Sequence, residues 1–221
     1  MLTRFTSDTI AILPPQYLGT AVYYAILAAY PVAVIDVNMR YDKRFKSAHR
    51  CTIVDTRDEL KLTVPVSHDF SQLGERTPTW SDVKVSTHGA WWDVHRIALE
   101  SAYGRTPFFE FYIDRFLPAF RRRTDEDCES VIELDMMLDE QIRRSFGIET
   151  KVLTDKELSD KDEVDYRRYD FAEAPDVRYY QVRADKLGFR KGLSALDLLF
   201  NMGPESQLVL KEIQESIKIN D

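Results

Sequence analysis

A chain of 221 residues with 44% apolar side chains can bury a real core and fold without staples. Its two cysteines, Cys51 and Cys128, form no CxxC pair, which excludes a disulfide framework and a zinc module and fits reduced thiols in a cytoplasmic protein. A formal charge of -7 excludes a bulk nucleic-acid binder. No apolar run approaches the roughly 20 residues of a membrane span, and Met1 to Asp8 carries no secretory signal, so a soluble protein is expected.

Thr9 to Leu13 is a short apolar run closed by Pro14-Pro15 and reads as a strand. Thr20 to Ala29, rich in alanine and large apolar residues, reads as a helix that Pro31 separates from a second strand, Val32 to Ile35. Strand, helix and strand within about thirty residues make a βαβ unit with a crevice at the strands' carboxyl ends, where Gln16, Tyr17 and Asp36 fall. Asp36 is there a site candidate or a turn cap. The cationic stretch Asn38 to Ser47 faces solvent or holds an anion. His49 to Val54 and Leu60 to Val66 form a hairpin around Asp55 to Asp58; Ser67 to Thr79 is a loop, and Trp80 to Val85 a further strand.

From Ala90 to Tyr103, Trp91, Val94, Ala98, Leu99 and Ala102 recur three or four apart, the period of a helix with one buried stripe. His95 lies on or beside that stripe, as a satisfied core histidine or as a proton-transfer group near neutral pH. Thr106-Pro107 opens a helix to about Phe120, with the threonine as N-cap. Arg121 to Arg123, answered by Asp125 to Asp127, is a solvated boundary or an anion holder. A helix from about Asp125 ends at Gly147, and a strand lies within Ile148 to Leu153. Thr154 to Asp176 is charged and poor in large aliphatics, a long mobile loop. Tyr179 to Val182 reads as a strand. Ser194 caps a helix with Asp197 three residues on, and Gln207 to Ile217 is a terminal helix. The expected fold class is α/β in a single domain: an N-terminal βαβ unit and mixed sheet with a helical C-terminal half.

No GxGxxG fingerprint, P-loop, GxSxG elbow or HExxH helix is present, so dehydrogenase, ATPase, serine-hydrolase and zinc-protease readings lose their support and no cofactor is indicated. His88 and His95 are poorly spaced for a metal, and Cys51 has no base nearby in sequence.

Several segments together carry a resemblance. Trp91 with His95 four on, Glu100-Ser101-Ala102-Tyr103 and Thr106-Pro107-Phe108-Phe109 resemble the paired helices of WbqC-like proteins. Pro15 to Gly19, His49 to Ile53 and Leu62 to Val66 are similar to that family's early motifs, and Tyr179-Tyr180-Gln181 with Leu193 to Asn201 and Gly203-Pro204 to its late ones. Length and motif order agree with the shorter form seen in Bacteroides-type bacteria. Gly19-Thr20 replaces a Pro-Trp, His49 stands where Asn is usual, and a glycine-rich segment of longer members is absent before Tyr179.

The resemblance implies work on surface polysaccharides such as O-antigen, with an acyl or aminoacyl transfer, glycine among the groups suggested. On that reading His95 is the base, and Asp36 or Asp197 orients it or binds the acceptor. Gln16, Tyr17, Tyr103 and Asn201 bind polar groups, and Arg50 contacts a donor phosphate or carboxylate. Asp197 is equally readable as an N-terminal helix acid. The implied partners are small molecules: an activated acyl donor and a sugar or sugar nucleotide. A nucleotide- or sugar-nucleotide-binding assembly protein without a reaction is the alternative.

Overall fold

A computed structural model describes residues 9–124, 129–154 and 162–217. Along the chain they form β1 (Thr9–Leu13), α1 (Ala21–Ala29), β2 (Val32–Ile35), β3 (Arg50–Val54), β4 (Glu59–Thr63), β5 (Val66–Ser67) and β6 (Lys84–Val85). Then follow α2 (Trp91–Tyr103), α3 (Phe109–Tyr112), α4 (Val131–Phe146), β7 (Lys151–Leu153), β8 (Asp162–Asp165), α5 (Ala184–Leu187), α6 (Ala195–Met202) and α7 (Ser206–Ile217). The fold is mixed α/β.

The main sheet has the order β7-β2-β1-β8, with every neighbouring pair parallel. Ile10 to Leu13 are buried on both faces, which explains their continuous apolar run. Thr20 caps α1 through its side chain, which accepts from the Tyr23 amide, and α1 packs against α7 and α6. The βαβ unit is as the sequence predicts. So is the hairpin, where Asp55 Oδ1 accepts the amides of Arg57 and Asp58 to close the turn between β3 and β4.

Four expectations change. Trp80 to Asp82 is a single 3-10 turn, because Thr79 and Asp82 cap it reciprocally, and only Lys84–Val85 pairs as a strand. The helix expected from Thr106 to Phe120 breaks into α3 and two 3-10 turns. The Thr106 hydroxyl donates back to the Tyr103 carbonyl instead of capping forward, and Phe109 and Phe116 turn inward onto Phe200. Tyr179 to Val182 joins no ladder. β8 lies inside the segment expected to be a loop; its Asp-Glu-Val-Asp sequence has no apolar alternation because only Val164 reaches the core.

Arg123 is not solvated. It is buried, stacks over Trp91 at 4.7 Å and pairs with Glu129 at 2.7 Å, while Asp125 to Asp127 and Cys128 lie outside the described residues. Gly203 admits Phe108 against its backbone: a Cβ there would meet the ring at 2.5 Å, and its φ of +53° suits glycine. Leu18, by contrast, takes φ +47° with a buried side chain, a strained position in the loop between β1 and α1.

Candidate functional site

Asp197 sits in the first turn of α6, 2% exposed. The Ser194 hydroxyl caps that helix by accepting from the Leu196 amide, so the Asp197 carboxylate is free for other partners. Tyr179 Oη donates to Asp197 Oδ2 at 2.7 Å and Gln181 Nε2 donates to the same oxygen at 2.9 Å. Asn201, one turn on, accepts from the Val182 amide at 2.9 Å and donates to the Asp197 carbonyl at 2.8 Å. Side chains of α6 therefore hold the irregular 179–182 segment in place of a strand ladder. The Tyr103 hydroxyl, from the last residue of α2, lies beside the Asp197 carboxylate and the Val54 amide without a well-formed hydrogen bond to either. Burial raises the Asp197 pKa to about 6, against the lowering effect of its two donors Tyr179 and Gln181 and of the nearby Tyr103 hydroxyl. A carboxyl so poised both takes and returns protons near neutral pH.

This carboxylate lines a cleft of about 230 Å³ together with Val54, Tyr103, Gln181, Arg183 and Gly188. A second cleft, of about 330 Å³, is lined by Ala21, Val22, Tyr179, Phe189 and Arg190.

His95 belongs to a different cluster. It is 2% exposed; Tyr17 Oη donates to its Nδ1 at 2.7 Å, and the other ring nitrogen faces the Thr63 carbonyl. These partners assign the proton to Nε2. Burial lowers the His95 pKa to about 4, so the ring is neutral at pH 7 with both nitrogens engaged. Eight residues of helix separate it from Tyr103, about 12 Å along α2. The interval follows β3, since Thr63 is opposite Arg50 at one end and Val54 lies at the other.

The other expected site residues lie apart from both clusters. Asp36 pairs with Arg167 Nη1 at 2.8 Å at the carboxyl end of the sheet, and the same guanidinium holds Asp165. Arg50 donates to Thr63 Oγ1 at 2.8 Å. Gln16 is buried over Gly19, where a Cβ would come within 3.0 Å of its Oε1. Structure thus brings together Tyr103, Asp197 and Asn201, and separately His95 with Tyr17. Cys51 is buried near Tyr17, its thiol pushed up by desolvation and so inert as a nucleophile at neutral pH.

Sequence reasoning missed Tyr179 and Gln181, whose segment reads as a strand, and Arg183 just beyond it as site residues. It also missed Asp135, 1% exposed on α4 with neither carboxylate oxygen hydrogen-bonded. Its spacing from Val131, Leu138 and Ile142 places it on that helix's buried face, and this was the available signal.

A four-stranded parallel sheet, two antiparallel pairs and helices from α2 onward define a mixed α/β protein with a buried carboxylate at a small cleft. The model of the WbqC-like protein family matches residues 15–180, more than half of the chain. The chain belongs to the WbqC-like protein family. No curated protein and no solved structure matches it. Among the described residues no helix is long and apolar enough to cross a membrane, and no three His, Cys, Asp or Glu side chains gather in a metal-binding group.

Proposed function

We propose that this chain is a group transferase that moves an acyl or aminoacyl unit onto a sugar or sugar nucleotide in the cytoplasmic assembly of surface polysaccharide. The observation that carries the reading is Asp197: a fully buried carboxyl, raised to about 6, at the wall of a cleft. Transfer to an amine or hydroxyl requires a group that removes the acceptor's proton and gives it to the leaving group, and a carboxyl near neutrality does both. Three motif segments supply its surroundings: Tyr103, the Tyr179 and Gln181 pair, and Asn201. His95 is a positioning residue in this reading, because its two engaged nitrogens and low basicity keep it from a substrate proton. It anchors Tyr17 and so the strained loop that leads into α1.

The test is acyl transfer from activated acyl donors to sugar nucleotides, followed by mass spectrometry of the product. Asp197→Asn is expected to lose at least about a hundredfold in rate, the lower end of general acid–base contributions. His95→Gln is expected to lose less than about tenfold. Transfer undiminished in Asp197→Asn removes the carboxyl from the chemistry.

A second reading is favoured by one observation: His95, Asp36 and Asn201 belong to three separate hydrogen-bond groups. A sugar-nucleotide-binding assembly protein needs no such convergence. Thermal stabilisation by a sugar nucleotide, with no turnover from any donor, selects it.

A further inference from the structure

Two donors in the Asp197 cleft lack a well-formed acceptor. The Tyr103 hydroxyl is 1% exposed, lines the cleft and has no well-formed acceptor. Arg183 Nε is likewise buried and unsatisfied. The rest of that guanidinium is held still, because Nη2 donates to the carbonyls of Ser101 and Ala102 at 2.9 and 3.0 Å, at the end of α2. No carboxylate forms an ion pair with Arg183 among the described residues; Asp55 is felt only at Coulombic range. Buried donors are almost always paired in folded proteins, so two orphans lining one cleft point to a missing acceptor. The acceptor side of the cleft is Asp197, where both well-formed bonds fall on Oδ2 and Oδ1 has capacity to spare.

We propose that Tyr103 Oη and Arg183 Nε form a carbonyl-oxygen site, in which the acyl oxygen of the donor is held while the acceptor's N–H or O–H faces Asp197. The inference rests on the transferase reading above and names the catalytic groups that reading lacks. The acceptor's N–H or O–H bond breaks as its proton passes to Asp197. The freed pair bonds to the carbonyl carbon, and the C=O π pair moves onto oxygen, where the two donors stabilise it. Collapse re-forms the C=O and breaks the bond to the leaving group of an activated ester or thioester, which takes the proton back from Asp197.

Acetamide carries both functions, a carbonyl oxygen that accepts and an N–H that donates, and is the probe. On the full chain, ¹H–¹⁵N spectra are expected to show the Arg183 Nε–H resonance shifting saturably with millimolar acetamide. Tyr103→Phe removes only a hydroxyl without a good partner. It is expected to keep its Tm and bind acetamide roughly tenfold more weakly, the weight of one hydrogen bond. No shift at Arg183 in the wild type, or wild-type affinity in Tyr103→Phe, overturns the carbonyl site. A shift lost in Tyr103→Phe with no acyl transfer from any donor leaves the carbonyl site standing and removes the transferase reading. Transfer at the wild-type rate in Tyr103→Phe does the reverse.

Discussion

Asp135 has the plainest consequence of any single residue. Its two oxygens lack partners in a core shared with Tyr17, Tyr23, Cys51 and Asp139, and burial drives its pKa well above the usual carboxylate range. Its folded pKa exceeds the unfolded value of about 4, so the folded state holds the proton more tightly. The contribution to stability is therefore fully present below about pH 4 and is lost as pH rises through the folded pKa. Asp135→Asn, neutral at every pH, is expected to gain in Tm over the wild type as pH rises from 4.5 to 8, measured by thermal unfolding. An equal difference at both pH values refutes the assignment. The position was legible as part of a helical stripe, but periodicity reports only which face a residue occupies. Whether a carboxylate on that face finds a donor depends on chain brought in from elsewhere, here Tyr17 and β3, and no local pattern encodes that. Tyr103, Asp197 and Asn201 were legible through motif resemblance for the same reason: only their recurrence marked them, since their common partner segment is irregular.

At the level of elements, α4 shows how far local chemistry reaches. Ser130 accepts from the Glu133 amide while Glu133 accepts from the Ser130 amide, a capping box, and Gly147 closes the other end at φ +64°. Ser130→Ala is expected to cost about 1 kcal/mol, seen as a fall of about 2–4 °C in Tm for a chain of this size. An unchanged Tm means that tertiary contacts alone place the start of α4. The end at Gly147 was read directly from sequence, as were α1, the βαβ unit and the β3–β4 hairpin. These elements have strong periodicity and punctuation that acts within a few residues. Residues 109–120 escaped because two phenylalanines, Phe109 and Phe116, obey the packing around Phe200 rather than helix propensity. The segment 179–182 escaped because Asn201 and Asp197 take over hydrogen bonds that a strand would give to a neighbour.

Across the whole molecule, α2 works as a ruler laid along β3, with the His95 cluster at one end and the Asp197 cleft at the other. The separation gives each histidine and carboxyl its own environment, and the opposite shifts of His95 and Asp197 follow from burial acting on a base and an acid. The sheet order also ends on β8, whose Asp162, Glu163 and Asp165 were the reason it went unseen as a strand. An open sheet edge is a template on which another copy of the chain can add strands, and like charges along it are a common defence. Two β8 edges meeting at neutral pH would bring two acidic strands together, with Asp165 of each already held by Arg167, so growth of the sheet at this end is expected to be opposed by the remaining repulsion. Replacing Asp162 and Glu163 by threonine lifts much of that barrier and adds β-prone side chains. Light scattering behind a sizing column is expected to find concentration-dependent oligomers of the double variant that the wild type does not form at the same concentration. Such oligomers are the expected mark of an acidic strand that hides from a hydrophobic pattern and keeps the sheet finite.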